Sequence, residues 1–276
     1  MAMGLRCLVA RLTKIYGNCT KAFSYLFYLA WPDKRFRLPQ AAKPLLPFAS
    51  NHRIPKILWQ TNYTDRVTLA VYLNYLFNRI LAPSYEYRFM DTAQRSAFVQ
   101  RNCSAEIFEA YCKLQLGAAQ ADLWRILILR EHGGVYLDID AHLAWPLGLM
   151  IDVERTELYV THRGGELSNY FIASEARNPR LDLVLEAILE NISRRSSDNV
   201  FELTGPRVLQ RVLGDHDIPT THYSRSCFQG SFTNEFFQYL DHPQGKWSKA
   251  QYRTNVLRHE QATGLHRERR SRDHVT

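Results

Sequence analysis

The chain lacks several features that would settle its class at once. It has no C-x-x-C pair, and its five cysteines (Cys7, Cys19, Cys103, Cys112, Cys227) are odd in number and scattered. That argues against a disulfide framework or a zinc-ligand set and leaves free thiols in a reducing compartment as the expectation. Long apolar runs are missing too. The longest uncharged stretch near the N-terminus, Ala22 to Pro32, falls well short of the ~20 residues that cross a bilayer. Ser24, Tyr25 and Tyr28 dilute it, and no small-residue cleavage site follows, so it makes a poor signal peptide. Negative charge is scarce at this end: residues 1–37 set Arg6, Arg11, Lys14, Lys21, Lys34, Arg35 and Arg37 against Asp33 alone, and so hold +6 of the net +8. A protein that grips nucleic acid along its body would spread that excess over the folded domain, so nucleic acid is not expected as a partner. Internal repeats and low-complexity tracts are absent as well.

What is present is a core-forming composition. The 276 residues are 46% hydrophobic and 22% charged, which excludes wholesale disorder. Residues 5–31 mix their cations with Leu5, Leu8, Leu12, Ile15, Phe23, Leu26, Phe27 and Trp31, the composition of a helix lying in a membrane interface or packed on the enzyme body. Pro32, Pro39, Pro44, Pro47 and Pro55 break the next stretch. The expected organisation is a basic arm and Pro-rich linker over 1–53, one catalytic domain over 54–250, and a basic tail over 251–276 that includes Arg267 to Asp273. Attachment to an anionic membrane surface through the arm, on its cytoplasmic face, goes with it. Four N-x-[ST] sequons, at Asn18, Asn62, Asn102 and Asn191, matter only in a secretory compartment and are taken as coincidental.

Through the body, strands expected at 54–61, 85–90, 135–139, 158–162 and 170–173 alternate with helices at 67–81, 93–101, 105–116, 118–132 and 181–194. The alternation predicts an α/β fold with a mostly parallel sheet. The segment Ala121 to Asp140 reads ADLWRILILREHGGVYLDID. Strand alternation turns Val135, Leu137 and Ile139 one way and Tyr136, Asp138 and Asp140 the other. Two carboxylates then project together from the C-terminal end of a strand, where open α/β sheets bind ligands. Like charges ~7 Å apart repel unless a cation lies between them, and a hard divalent ion suits oxygen ligands. On the preceding helix Asp122 and Arg125 are i, i+3 neighbours, able either to hold sugar hydroxyls or to form a plain ion pair.

The string as a whole resembles the DXD-containing glycosyltransferases of family 32, which include mannosyl-, galactosyl- and N-acetylglucosaminyl-transferases. The matching pieces are IPKILWQT at 54–61, Asp122/Arg125, Gly133-Gly134-Val135-Tyr136 and Asp138/Asp140, and the likeness covers roughly residues 54–250. It implies a GT-A-type nucleotide-binding sandwich and metal-dependent transfer with retention. Asp140, with Asp138, would bind Mn²⁺ or Mg²⁺; Asp138 would also touch ribose or sugar, and Asp122 and Arg125 the transferred sugar. Trp59 (where the family usually has His), Gln60, Thr61 and Tyr136 would lie beside the nucleotide. The segment Asp241-His242-Pro243-Gln244-Gly245-Lys246-Trp247 is similar to the closing His…Gly…Lys…Trp element of related retaining enzymes. It makes His242 a third metal ligand, Lys246 a partner of the departing phosphate and Trp247 a cover. Asn169 would approach the reactive sugar face, and Leu203-Thr204-Gly205-Pro206 would turn near the acceptor. His132 and His142 are read as bystanders.

The function so implied is transfer of a hexose or N-acetylhexosamine from a UDP- or GDP-sugar to a glycan or glycolipid acceptor, as in lipopolysaccharide or surface polysaccharide assembly. Front-face attack and a covalent intermediate both stay open. Alternatives are a protein-modifying, toxin-like glycosyltransferase, a phosphatase or phosphotransferase of the D-x-D-x-[TV] type, and a non-catalytic nucleotide-sugar-binding module.

Overall fold

The computed structural model describes residues 2–47 and 51–258; the basic run Arg267 to Asp273 lies outside them. The chain opens with α1 (Ala2–Ala30), then β1 (Phe36–Arg37), β2 (Ala41–Ala42), β3 (Ile57–Thr61), β4 (Arg66–Val67), α2 (Leu69–Leu81) and β5 (Glu86–Met90). Next come α3 (Thr92–Asn102), α4 (Ala105–Lys113), α5 (Gly117–His132), β6 (Gly134–Leu137), β7 (Ala141–Leu143), β8 (Glu157–Thr161) and β9 (Leu167–Ser174). It continues with α6 (Pro179–Arg194), α7 (Val200–Leu203), α8 (Pro206–Leu213), β10 (Thr220–His222), β11 (Cys227–Gln229), α9 (Glu235–Gln238) and α10 (Trp247–Ala250).

A seven-stranded sheet runs in the order β10-β8-β9-β6-β3-β5-β2. β3, β5, β6, β8 and β10 share one direction, while β9 and β2 run against them. This is the expected mixed α/β fold with a mostly parallel sheet. Pleat alternation gives each sheet face its own core. Trp59, Tyr136, Tyr159 and Ile172 point into the cluster built by α5, α6 and α8. Leu58, Val135, Leu137 and Phe171 point into the cluster beneath α2. Trp124, fully buried at the centre of the first, is the kind of side chain whose burial stabilises a core by about 3 kcal/mol.

Local chemistry sets the element ends. Asp91 and Gln94 form a reciprocal capping box on α3. Asn178 caps α6, with Pro179 in its first turn. α5 stops at Gly133, whose φ is +64°, and Gly134 follows at +108°. A Cβ on Gly133 would meet the Ala176 nitrogen at 2.7 Å, and one on Gly134 the Ile57 oxygen at 2.8 Å. The double glycine is therefore required both for its positive φ and for close passage of the backbone under β3.

Two parts of the expected organisation change. The chain beyond 250 does not leave the domain as a tail at once, because Val256 and Leu257 are buried in the first core and Leu257 bridges to Leu114. The Pro-rich stretch is pinned down: β1 pairs with β4, β2 extends the main sheet beside β5, and Leu38 is buried. α1 lies along the body on one face, burying Ala10, Thr13, Ser24 and Tyr28. The Tyr28 hydroxyl accepts from the Leu69 N–H and donates to the Lys34 carbonyl.

Candidate active site

Every residue of the DXD segment is held in place by its backbone. The Asp138 N–H donates to the Tyr170 carbonyl at 2.8 Å, and Gln60 Nε2 donates to the Asp138 carbonyl at 3.2 Å. From the other side, Asn74 Nδ2 donates to the Ile139 and Ala141 carbonyls, each at 2.9 Å. Asn78 gives one bond to Ala141 and takes one from the Leu143 N–H. These two buried asparagines stand one helical turn apart on α2, facing β7, so the turn between the strands is fastened without help from solvent.

With the backbone fixed, the two carboxylates converge. Gln229 Nε2 donates to Asp138 Oδ2 at 3.1 Å and to Asp140 Oδ1 at 3.2 Å. One amide thus bridges the pair. It is carried there by β11, which pairs with β7 so that Gln229 lies opposite Ala141. Asp138 Oδ1 accepts from the Tyr136 hydroxyl at 2.6 Å and faces Arg125 Nη1 at 3.3 Å. Burial, with Asp138 beside it, pushes Asp140 up to about 7.

Deeper in the wall is a second polar group. Asp122 Oδ1 accepts from Arg125 Nη2 at 2.8 Å and Asn169 Nδ2 at 2.9 Å, and Oδ2 accepts from the Thr204 hydroxyl at 3.0 Å. Arg125 donates from Nη1 to the Asn169 carbonyl, and its guanidinium lies 4.4 Å from the Tyr136 ring centroid. Both charged side chains are almost fully enclosed, at 8% and 6% exposure. Burial pushes Asp122 up to about 6, against the pull of Arg125. A cavity of about 600 Å³ opens over both groups, lined also by Thr61, Tyr63, Tyr239 and Trp247. It sits at the C-terminal ends of β3 and β6, the ligand-binding edge of such sheets.

The other sequence-predicted residues divide. Thr61, Tyr136, Asn169, His242, Lys246 and Trp247 line the cavity with the acidic residues and Arg125. Trp59 does not. It lies two residues short of the strand end, its indole N–H donates to the Gly133 carbonyl at 2.9 Å, and its ring packs on His132. It lines a separate cavity near α3. Gln60 is wholly buried and supports the Asp138 backbone instead of facing the cavity. Among the described residues no three His, Cys, Asp or Glu side chains gather to hold a metal; the His242 ring lies against Tyr63. Lys246 pairs with Glu235 at 2.7 Å, both side chains being about one third exposed. His132 and His142 stay outside the cavity lining, His142 enclosed by the rings of Phe77, Phe228 and Phe232.

Gln229, Thr204 and the pair Asn74/Asn78 were not picked out from the sequence. Only Thr204 left a trace, in its place before Gly205-Pro206. The two convergent carboxylates are hard oxygen groups, and the adjacent Gln229 amide has an oxygen of the same kind. They fit a divalent cation that takes two protein carboxylates and completes its shell with ligand oxygens and water.

Residues 70–157 match the family described as "Glycosyltransferase sugar-binding region containing DXD motif". Over 91 residues the chain is 36% identical to the initiation-specific alpha-1,6-mannosyltransferase of Schizosaccharomyces pombe, covering 32% of this chain and 23% of that protein. Over 133 residues it is 31% identical to toxin Afp18 of Yersinia ruckeri, covering 45% of this chain and 6% of the toxin. The chain thus spans less than a quarter of these curated relatives. Its fold is similar to that of the PaToxG glycosyltransferase, with a TM-score of 0.50 and 18% identity over 77% of this chain and 80% of the other. The family match, the mannosyltransferase relative and the shared fold together support a transferase.

Proposed function

We propose that this chain is a GT-A-type glycosyltransferase that moves a hexose or N-acetylhexosamine from a UDP- or GDP-sugar to a hydroxyl of a glycan or glycolipid, with retention. The observation that carries this reading is the convergence of Asp138 and Asp140 beside the enclosed Asp122–Arg125–Asn169 group, in one cavity. In this reading Asp138 and Asp140 hold Mn²⁺ or Mg²⁺, which supplies Lewis-acid stabilisation to the departing diphosphate. Asp122, Arg125 and Asn169 present a polar wall already ordered by its own hydrogen bonds, so orienting sugar hydroxyls needs little reorganisation. Tyr136 keeps Asp138 turned toward the cavity through its hydroxyl bond. The acceptor hydroxyl approaches from the face that the diphosphate leaves.

A membrane-borne saccharide acceptor, as in lipopolysaccharide or surface polysaccharide assembly on the cytoplasmic side, belongs to the same proposal. It draws on the five free thiols and the cationic arm. Likeness to a toxin favours one second reading, glycosylation of a protein, and a mass increase on a protein incubated with enzyme and donor separates the two. The reading itself is tested by Asp140→Ala, expected to remove metal-dependent transfer while the thermal melt stays cooperative. Turnover of donor by this variant at the wild-type rate would place the site elsewhere. A thermal-shift series of UDP- and GDP-sugars with and without Mn²⁺ identifies the donor, since a ligand that binds only the folded chain raises Tm.

A further inference from the structure

α1 has two opposed faces. One is fastened to the body. The other carries Leu5, Leu8, Leu12, Ile15, Leu26 and Leu29, each between 54% and 82% exposed, and with the exposed Cys19 and Ala22 between Ile15 and Leu26 they alternate at spacings of three and four in one stripe along the helix. Among the described residues nothing covers this stripe. Arg11 flanks it, while Lys14 turns toward the body, its ammonium 5.0 Å from the Phe228 ring centroid, and Trp31 stands exposed just beyond the helix end. No Asp or Glu occurs in residues 2–30.

Charge decides the occupant. The stripe has the heptad spacing of a two-helix seam, but a second copy would bring Arg11 and its neighbours against cations with no acid on either helix to answer them. An anionic lipid surface answers Arg11 directly and the net positive charge of the helix at longer range, accepts the leucines below the headgroups and favours an aromatic at the boundary. No described helix is long and apolar enough to cross a membrane, so α1 would lie flat, over ~43 Å for its 29 residues.

The fastened face of the same helix touches the wall of the active-site cavity. Lys21 Nζ donates to the Gly230 carbonyl at 2.8 Å, and Asn234 Nδ2 donates to the Tyr25 hydroxyl at 2.7 Å. Gly230 and Asn234 both line that cavity. One helix thickness therefore separates the apolar stripe from the cavity lining. We propose that the exposed face of α1 docks on an anionic lipid bilayer, and that docking there holds the wall formed by residues 229–237 close to the membrane surface. This rests on the membrane-borne-acceptor form of the function above, and it names the face that reaches the membrane.

The test is sedimentation of the full chain with vesicles of phosphatidylcholine alone or with phosphatidylglycerol added, for wild type, the double variant Leu12→Glu/Ile15→Glu and the single variant Arg11→Glu. Wild type should bind the anionic vesicles at least about tenfold more tightly than the neutral ones, and each variant should lose about tenfold or more on the anionic vesicles. The leucine-stripe variant should keep the wild-type melt, because both positions face solvent. It should also keep its rate on a soluble saccharide acceptor. Equal binding of wild type and variants, or none by wild type, overturns the proposal. A lipid-free dimer in sedimentation velocity that Leu12→Glu/Ile15→Glu makes monomeric also overturns it, by assigning the stripe to a second copy. Vesicle binding by a chain that transfers no sugar to any acceptor leaves docking in place and removes only the catalytic reading.

Discussion

Asp122→Asn separates stability from function at this site. The carboxyl is enclosed, and burial moves it from an ordinary 3.8 to about 6 despite Arg125 beside it. A carboxyl raised in the folded state adds stability that is complete below its unfolded pKa and is lost as pH rises through the folded one. Ionised Asp122 therefore costs the folded protein roughly 3 kcal/mol above pH 6. Asparagine keeps the shape and accepts from Arg125 and Asn169, while the Thr204 hydroxyl can rotate to receive its amide. It has no charge to desolvate. In urea unfolding with EDTA present, to keep ions out, the variant should match wild type near pH 4. It should then gain progressively on wild type, by as much as about 3 kcal/mol at pH 8. Transfer should nevertheless fall by about two orders of magnitude, since the charged acceptor facing the sugar is gone. A variant less stable than wild type at pH 8 by more than about 1 kcal/mol would show that pairing with Arg125 outweighs burial, and the reasoning would fail.

Gln229→Glu places a third carboxylate against Asp138 and Asp140. Mn²⁺ titration calorimetry should show affinity raised by about tenfold or more, and unchanged affinity would mean that this side chain does not face the ion. Gly17→Leu should lift α1 from the body, since a Cβ there meets the Phe232 ring at 2.7 Å; faster tryptic cleavage at Arg11 and Lys14 reads this out. His142 is enclosed in aromatic rings and pushed down to about 4 by burial, with Lys14 adding to it. Its contribution to stability is complete above about pH 6.5 and is lost as pH falls through 4. His142→Phe should therefore flatten the acid limb of an unfolding-versus-pH curve, and an unaltered limb would refute that account.

The parts of the site legible in the sequence are the local ones. Alternation over residues 135–139 sends Tyr136 to one core and Val135 and Leu137 to the other, and the double glycine marks the end of α5. What stayed hidden depends on distant pairings. Gln229 belongs to a three-residue strand, too short for any periodic signal, and reaches Asp140 only because that strand pairs with β7. Lys246 and His242 line the cavity, as their sequence neighbours suggested, with partners that local sequence does not disclose. In space, Glu235 takes Lys246, and Asp241, next to His242, pairs with Arg35. Trp59 shares a strand with Thr61, yet a two-residue offset turns one into core and leaves the other at the cavity. For α1, composition disclosed both cations and apolar side chains; the register that decides which half packs is set by Gly17 meeting Phe232.

That meeting has a consequence for how the protein is made. Residues 2–30 leave the ribosome long before residues 228–237, on which they pack. At about 5–20 residues per second the helix waits on the order of 10–40 s with apolar surface bare on both sides. The same late stretch delivers Gln229 to the carboxylates, so a nascent chain halted short of it has neither a seated first helix nor a finished catalytic centre. The order of synthesis therefore ties the seating of the helix to the arrival of the residue that bridges the two carboxylates.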